Sequence, residues 1–226
     1  MNRSHIRLLL SGVAIISLVS CNNADNSSRS EKAKDSISKE KKIILTNSEI
    51  KNLNQFFTCF SEIHLPSFSG DNVPDSILIQ FGVYYNYRKH FEMFKQITEA
   101  SRASISEIPV IDTAFKFFGF KINKHQSIEG IEYKNKNYII PNSDGEVYRF
   151  SQVRELIEAN KGIFNAIVEI YSASSGFTGD INSDPDSWKT VLESDEIPKS
   201  EGKINAKIRK VEEQGRIRYI LLEYLN

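Results

Sequence analysis

KINAKIRKV (203–211), EEQG (212–215) and RIRYILLEYL (216–225) form the stretch whose reading decides the fold class. Ile204, Ala206 and Ile208 alternate with polar residues, and Ile217, Tyr219, Leu221 and Glu223 alternate on the far side of a Gly-containing turn. A period of two on both flanks of such a turn predicts an antiparallel hairpin. Working upstream, IFNAIVEIY (163–171) reads as a strand entered through the turn ANKG (159–162), and Tyr148 to Glu158 as the strand before it. Ile131 to Lys134 and Tyr138 to Pro141 flank Asn135-Lys136-Asn137 as a further strand pair, and NSDG (142–145) reads as a hairpin turn into Val147, Tyr148 and Phe150.

Before Gly119 the period is that of a helix. Thr46 and Glu49 are spaced as a capping box ahead of Ile50, Leu53, Phe56, Phe57 and Phe60, which predicts a helix over 47–62. Pro74 stands where a first helical residue belongs, and Ile77, Leu78, Phe81, Tyr84, Tyr85, Arg88 and Phe91 follow at steps of three and four, with Phe94 and Ile97 extending the stripe. Pro109, Ile111, Ala114, Phe115 and Phe118 predict a third helix ending at Gly119. Helices first and antiparallel strands afterwards make the expected class α+β, with the N-terminal helices packed on a curved antiparallel sheet. Cystatin-like and nuclear-transport-factor-like cones share that order of elements, an analogy of architecture that carries no function.

The chain begins with Arg3 and Arg7 and no acid, followed by an apolar run from Leu8 to Val19. Twelve helical residues rise about 18 Å, short of the roughly 30 Å of a bilayer core, so the segment reads as an export signal. It ends in Leu18-Val19-Ser20-Cys21, which resembles the lipobox of bacterial lipoproteins. The resemblance implies cleavage before Cys21, a diacylglyceryl group on its thiol and an acyl chain, palmitate or similar, on its new amino group. Membrane lipid would then be a partner through Cys21, and the folded part would sit on the outer side of a bacterial cell membrane or at an outer membrane. Residues 1–20 are thus expected to be the signal peptide, 21–45 a polar tether spanning roughly 25 Å, and 46–226 a single domain. The folded part resembles small secreted proteins and lipoproteins of bacteria.

The chain carries 29 basic and 29 acidic side chains, and no basic run marks a nucleic-acid footprint. With Cys21 lipidated, Cys59 is alone and lies in the apolar run Phe56 to Phe60, which predicts a buried, inert thiol. Asp180, Asn182, Asp184 and Asp186 put oxygen side chains on alternate residues, similar to the opening of EF-hand and dockerin calcium loops. Pro185 then stands where those loops need glycine and Val191 where they need a bidentate acid, so calcium fits only the first half, and no other cofactor is signalled. His64, His90 and His125 have no metal-ligand spacing. Tyr85, Tyr87 and Arg88 are candidates for the mouth of a ligand cavity. The expected function is a non-enzymatic envelope module that binds a partner protein or a small ligand. The alternatives are an envelope hydrolase using acids such as Glu92, Glu99 or Asp112, and a structural subunit of a membrane assembly.

Overall fold

The computed structural model describes residues 41–70, 72–97, 101–142, 147–174 and 176–226. The signal segment, Cys21 and Glu99 lie outside them. From Lys41 onward the described residues belong to one compact unit of mixed α+β class, with four α-helices and two antiparallel sheets.

The larger sheet has the order β1-β6-β7-β8-β9, from β1 (Lys41–Lys42), β6 (Val147–Asn160), β7 (Ile163–Ser174), β8 (Lys199–Glu213) and β9 (Arg216–Leu225). The smaller has the order β2-β3-β5-β4, from β2 (Lys95–Ile97), β3 (Arg102–Ser106), β4 (Glu132–Lys134) and β5 (Asn137–Pro141). The expected turn at 142–145 is therefore not a hairpin, because β5 and β6 belong to different sheets. The terminal hairpin stands as expected, turning at Gln214 and Gly215, both at positive φ. Its alternation slips at a bulge that leaves Leu222 unpaired, so neighbours Ile220 and Leu221 are both buried while Ile217 is exposed. Lys41 and Lys42 pair with Glu158 and Ile157, so pairing begins a few residues before the expected domain start at 46.

α1 (Asn47–Ser61) starts at the expected capping box, Thr46 N donating to Glu49 Oε2 at 2.9 Å and Glu49 N to Thr46 Oγ1 at 3.3 Å. Its buried face is not wholly apolar, for Asn54, Thr58 and Ser61 are buried with Leu53, Phe57 and Phe60. These polar groups finish the outer edge of β6, which β1 covers only at its end. Ser151 N donates to Thr58 Oγ1 at 3.0 Å and Val153 N to Asn54 Oδ1 at 2.8 Å, satisfying donors that an unpaired edge would leave buried and bare.

α2 (Asp75–Lys89) ends where His90 turns to φ −142°, and a single 3-10 turn, Phe91–Met93, leads into β2. The expected extension through Phe94 and Ile97 is thus corrected. Tyr87, Phe91 and Phe94 keep their aromatic contact across the helix end, with ring centroids 5.2 and 5.3 Å from Tyr87, and this imitates a helical stripe. α3 (Glu107–Phe118) follows β3 directly, with Pro109 in its first turn and Gly119 left-handed at φ 73°. It lies very close to α2: Asn86 Nδ2 donates to Thr113 Oγ1 at 2.9 Å and to Pro109 O at 3.3 Å. α4 (Pro185–Val191) was not expected. Asp184 caps it, accepting from Asp186 N, and Trp188 anchors a second aromatic cluster with Phe150 and Tyr171.

Candidate functional site

An apolar groove of about 490 Å³ opens between α1, α2, α3 and the start of β9. Its size is that of small-molecule sites, which are concave and largely apolar with a few placed polar groups. Phe117 is its centre: the Tyr85 ring lies 4.8 Å away on one side and Phe56 stacks at 6.1 Å on the other, with Tyr219 a further 5.8 Å from Phe56. The walls come from four distant parts of the chain, because helical spacing turns Phe56 and Cys59 of α1, Tyr85 and Lys89 of α2, and Phe117 of α3 toward one another. Burial holds the Tyr85 and Tyr219 phenols above the usual tyrosine range, so both are neutral hydroxyls at any ordinary pH.

The charges on the groove are unevenly committed. Lys89 Nζ pairs with the buried Glu62 carboxylate at 3.0 Å, and Arg218 pairs with Glu213 at 2.8 Å while Nη1 donates to Lys116 O at 3.0 Å. Glu49 is held by Thr46, whose backbone and hydroxyl bonds keep its carboxyl below the usual range. Lys116 lies 5.4 Å from the Phe117 ring centre, and among the described residues no acid approaches its ammonium within 4 Å. Lys116 is therefore an exposed cation beside an aromatic wall.

Cys59 lies at the floor of this groove, 6% exposed, donating its S–H to Gln55 O at 3.3 Å. Burial, helped by Glu62 and opposed by Lys89 and Lys116, pushes its thiol up to about 11. At pH 8 the native thiol is therefore almost wholly protonated. In a chain with Cys21 replaced by serine, iodoacetamide should modify native Cys59 roughly a hundredfold more slowly than the urea-unfolded chain. The same shift makes stability fall as pH rises past 9, since the unfolded thiol ionises near its ordinary value while the folded one holds its proton to about 11. Alkylation at the unfolded rate would show that the groove floor opens to solvent.

The three residues expected at a cavity mouth do not share one. Tyr85 faces this groove, whereas Tyr87 and Arg88 line a second pocket of about 430 Å³, with Lys89 bordering both. In the acidic loop the oxygens are taken up locally. Asp180 Oδ1 accepts from Asn182 N at 2.9 Å, Asn182 Oδ1 accepts from Asn54 Nδ2 at 3.1 Å, Asp184 caps α4, and Asp186 pairs with Lys189 at 2.7 Å. Among the described residues no three His, Cys, Asp or Glu side chains converge as a metal site would need. Glu92 is an exposed carboxylate 3.4 Å from His90, and Asp112 lies exposed on α3. No helix among the described residues is long and apolar enough to cross a membrane. Compared with known proteins, the chain matches no family model, no curated protein and no solved structure.

Proposed function

We propose that this is a lipid-anchored protein of the bacterial cell envelope that binds a small amphipathic anion, such as a medium-chain carboxylate, in the groove around Phe117. The observation that carries the reading is the unpaired Lys116 ammonium beside an aromatic floor of ligand-site size. An apolar body would displace water from Phe56, Phe117 and Tyr219, and a carboxylate would meet Lys116, where a charge-assisted hydrogen bond contributes about 1.5 to 3 kcal/mol. Binding, with no bond made or broken, is the role these groups suit. In this reading the helices gather on the concave face of a curved five-stranded sheet, as in cystatin-like or nuclear-transport-factor-like cones, and Cys21 carries the lipid that keeps the groove near a membrane.

The test has two arms. Decanoate and decanol are titrated against the protein, and decanoate should bind at least tenfold more tightly, a preference that Lys116→Ala removes while Tyr85→Ala weakens both ligands. Equal affinity for the two, or no saturable binding, would sink the ligand reading. Intact mass and detergent partition of protein made in a bacterial host should show a mature chain starting at acylated Cys21. Loss of both cleavage and partition is expected for Cys21→Ala, and a soluble, unacylated wild type would remove the anchor without touching the groove.

A further inference from the structure

α1 ends in a motif that glycine normally completes. Leu65 N donates to Phe60 O and His64 N to Ser61 O, each at 3.1 Å, and His64 between these bonds is left-handed at φ 53°. A residue with a Cβ is strained there and glycine is not. The histidine ring is nevertheless in use. Its Nδ1 lies 2.5 Å from Arg149 Nη1, and because a guanidinium only donates, Nδ1 is the acceptor and the neutral ring carries its proton on Nε2.

His64 lines the second pocket with Glu62, Tyr84, Tyr87, Arg88 and Lys89. Glu62 is spent on Lys89, while Arg88 has no acid within 4 Å among the described residues. Arg149 Nε lies 3.0 Å from Glu201 Oε2, so its charge is paired with that carboxylate. Burial above all, then Arg149 and Arg88, hold His64 below its ordinary pKa, with Glu201 opposing.

We propose that this pocket binds a phosphate group, held by the Arg88 guanidinium and the His64 Nε2–H. Arginine suits the task because its planar fork matches phosphate oxygens in pairs. The proposed donors, Arg88 and His64, do not line the groove around Phe117, although Lys89 borders both pockets.

Calorimetric titration of the intact, unlipidated Cys21→Ser chain with sodium phosphate tests it. Saturable binding is expected, weakened roughly tenfold or more in Arg88→Ala and in His64→Gly. His64→Gly also separates function from fold: its melting temperature should stay close to that of the parent, because relief of the strained position offsets the lost contact with Arg149. A parallel arm uses phosphatidylcholine vesicles with and without phosphatidic acid. Co-sedimentation that needs phosphatidic acid and Arg88 would identify the phosphate as a lipid headgroup, and phosphate binding without co-sedimentation would identify a soluble ligand. No binding in either arm, or binding unchanged in both variants, would overturn the proposal.

Discussion

Replacing Trp188 by alanine is expected to lower the free energy of unfolding by about 3 to 5 kcal/mol and to free the segment from Gly176 to Leu192 from the large sheet. The indole is 1% exposed, the largest fully buried side chain among the described residues. It meets Tyr171 and Phe150 edge-on at 5.2 and 5.5 Å, and its Nε1–H donates to Asp180 O at 3.0 Å. That bond ties the acidic loop to α4, while Gln152 Nε2, donating to Ile181 O and Ser183 O at 2.6 and 2.8 Å, ties the same loop to β6. Alanine removes the shared wall of Phe150, Tyr171 and Phe177, and a seven-residue helix has no independent stability to replace it. Trp188→Phe keeps most of the packing and loses the hydrogen bond, so its cost is nearer 1 kcal/mol. Denaturant midpoints give the two losses. Limited proteolysis locates them, and wild-type resistance of residues 176–192 in the alanine variant would refute the anchoring role.

What could be read beforehand follows from how local each signal is. The Thr46–Glu49 capping box, the left-handed Gly119 and the turn at Asn135 and Lys136, both at positive φ, need only a few neighbouring residues, and each stands where the sequence places it. The division into two sheets rests on pairings such as Ile105 with Tyr138, which no short window contains. β3 itself is five residues with only Ala103 and Ile105 buried, too short to show an alternation. Asp184-Pro185 did carry a helix-start signal for α4, overshadowed by the run of acids. Tyr85 and Tyr87 could not line one cavity, because residues two apart on a helix point in nearly opposite directions. Lys116 and Tyr219 join Phe56 and Tyr85 only through tertiary packing, so the groove had no local signature. His64 was legible as a residue and illegible as a strained one, since its left-handed φ comes from the way α1 ends.

Gly82→Ala is expected to destabilise the protein, although alanine in a helix is ordinarily worth about 0.8 to 1 kcal/mol over glycine. A Cβ built on Gly82 falls 2.7 Å from both the carbonyl oxygen and the Cγ1 of Val110. A side chain can turn away, but the oxygen belongs to the backbone of α3, so the helices must part. Such overpacking costs typically 1 to 3 kcal/mol. Asn86, one turn on, is 2% exposed and bridges the same seam to Pro109 O and Thr113 Oγ1, so parting the helices strains two further bonds worth about 1 kcal/mol each. The opposing terms leave a net loss of about 2 kcal/mol. The variant Gly82→Ala with Val110→Ala removes the methyl clash and keeps the carbonyl clash, so it should recover little of the loss. Full recovery would place the conflict in the side chain, and a rise in stability for Gly82→Ala would show that α2 and α3 do not approach so closely. Because Tyr85 and Lys89 ride on α2 and Lys116 and Phe117 on α3, the same change widens the groove, and decanoate affinity should fall alongside stability.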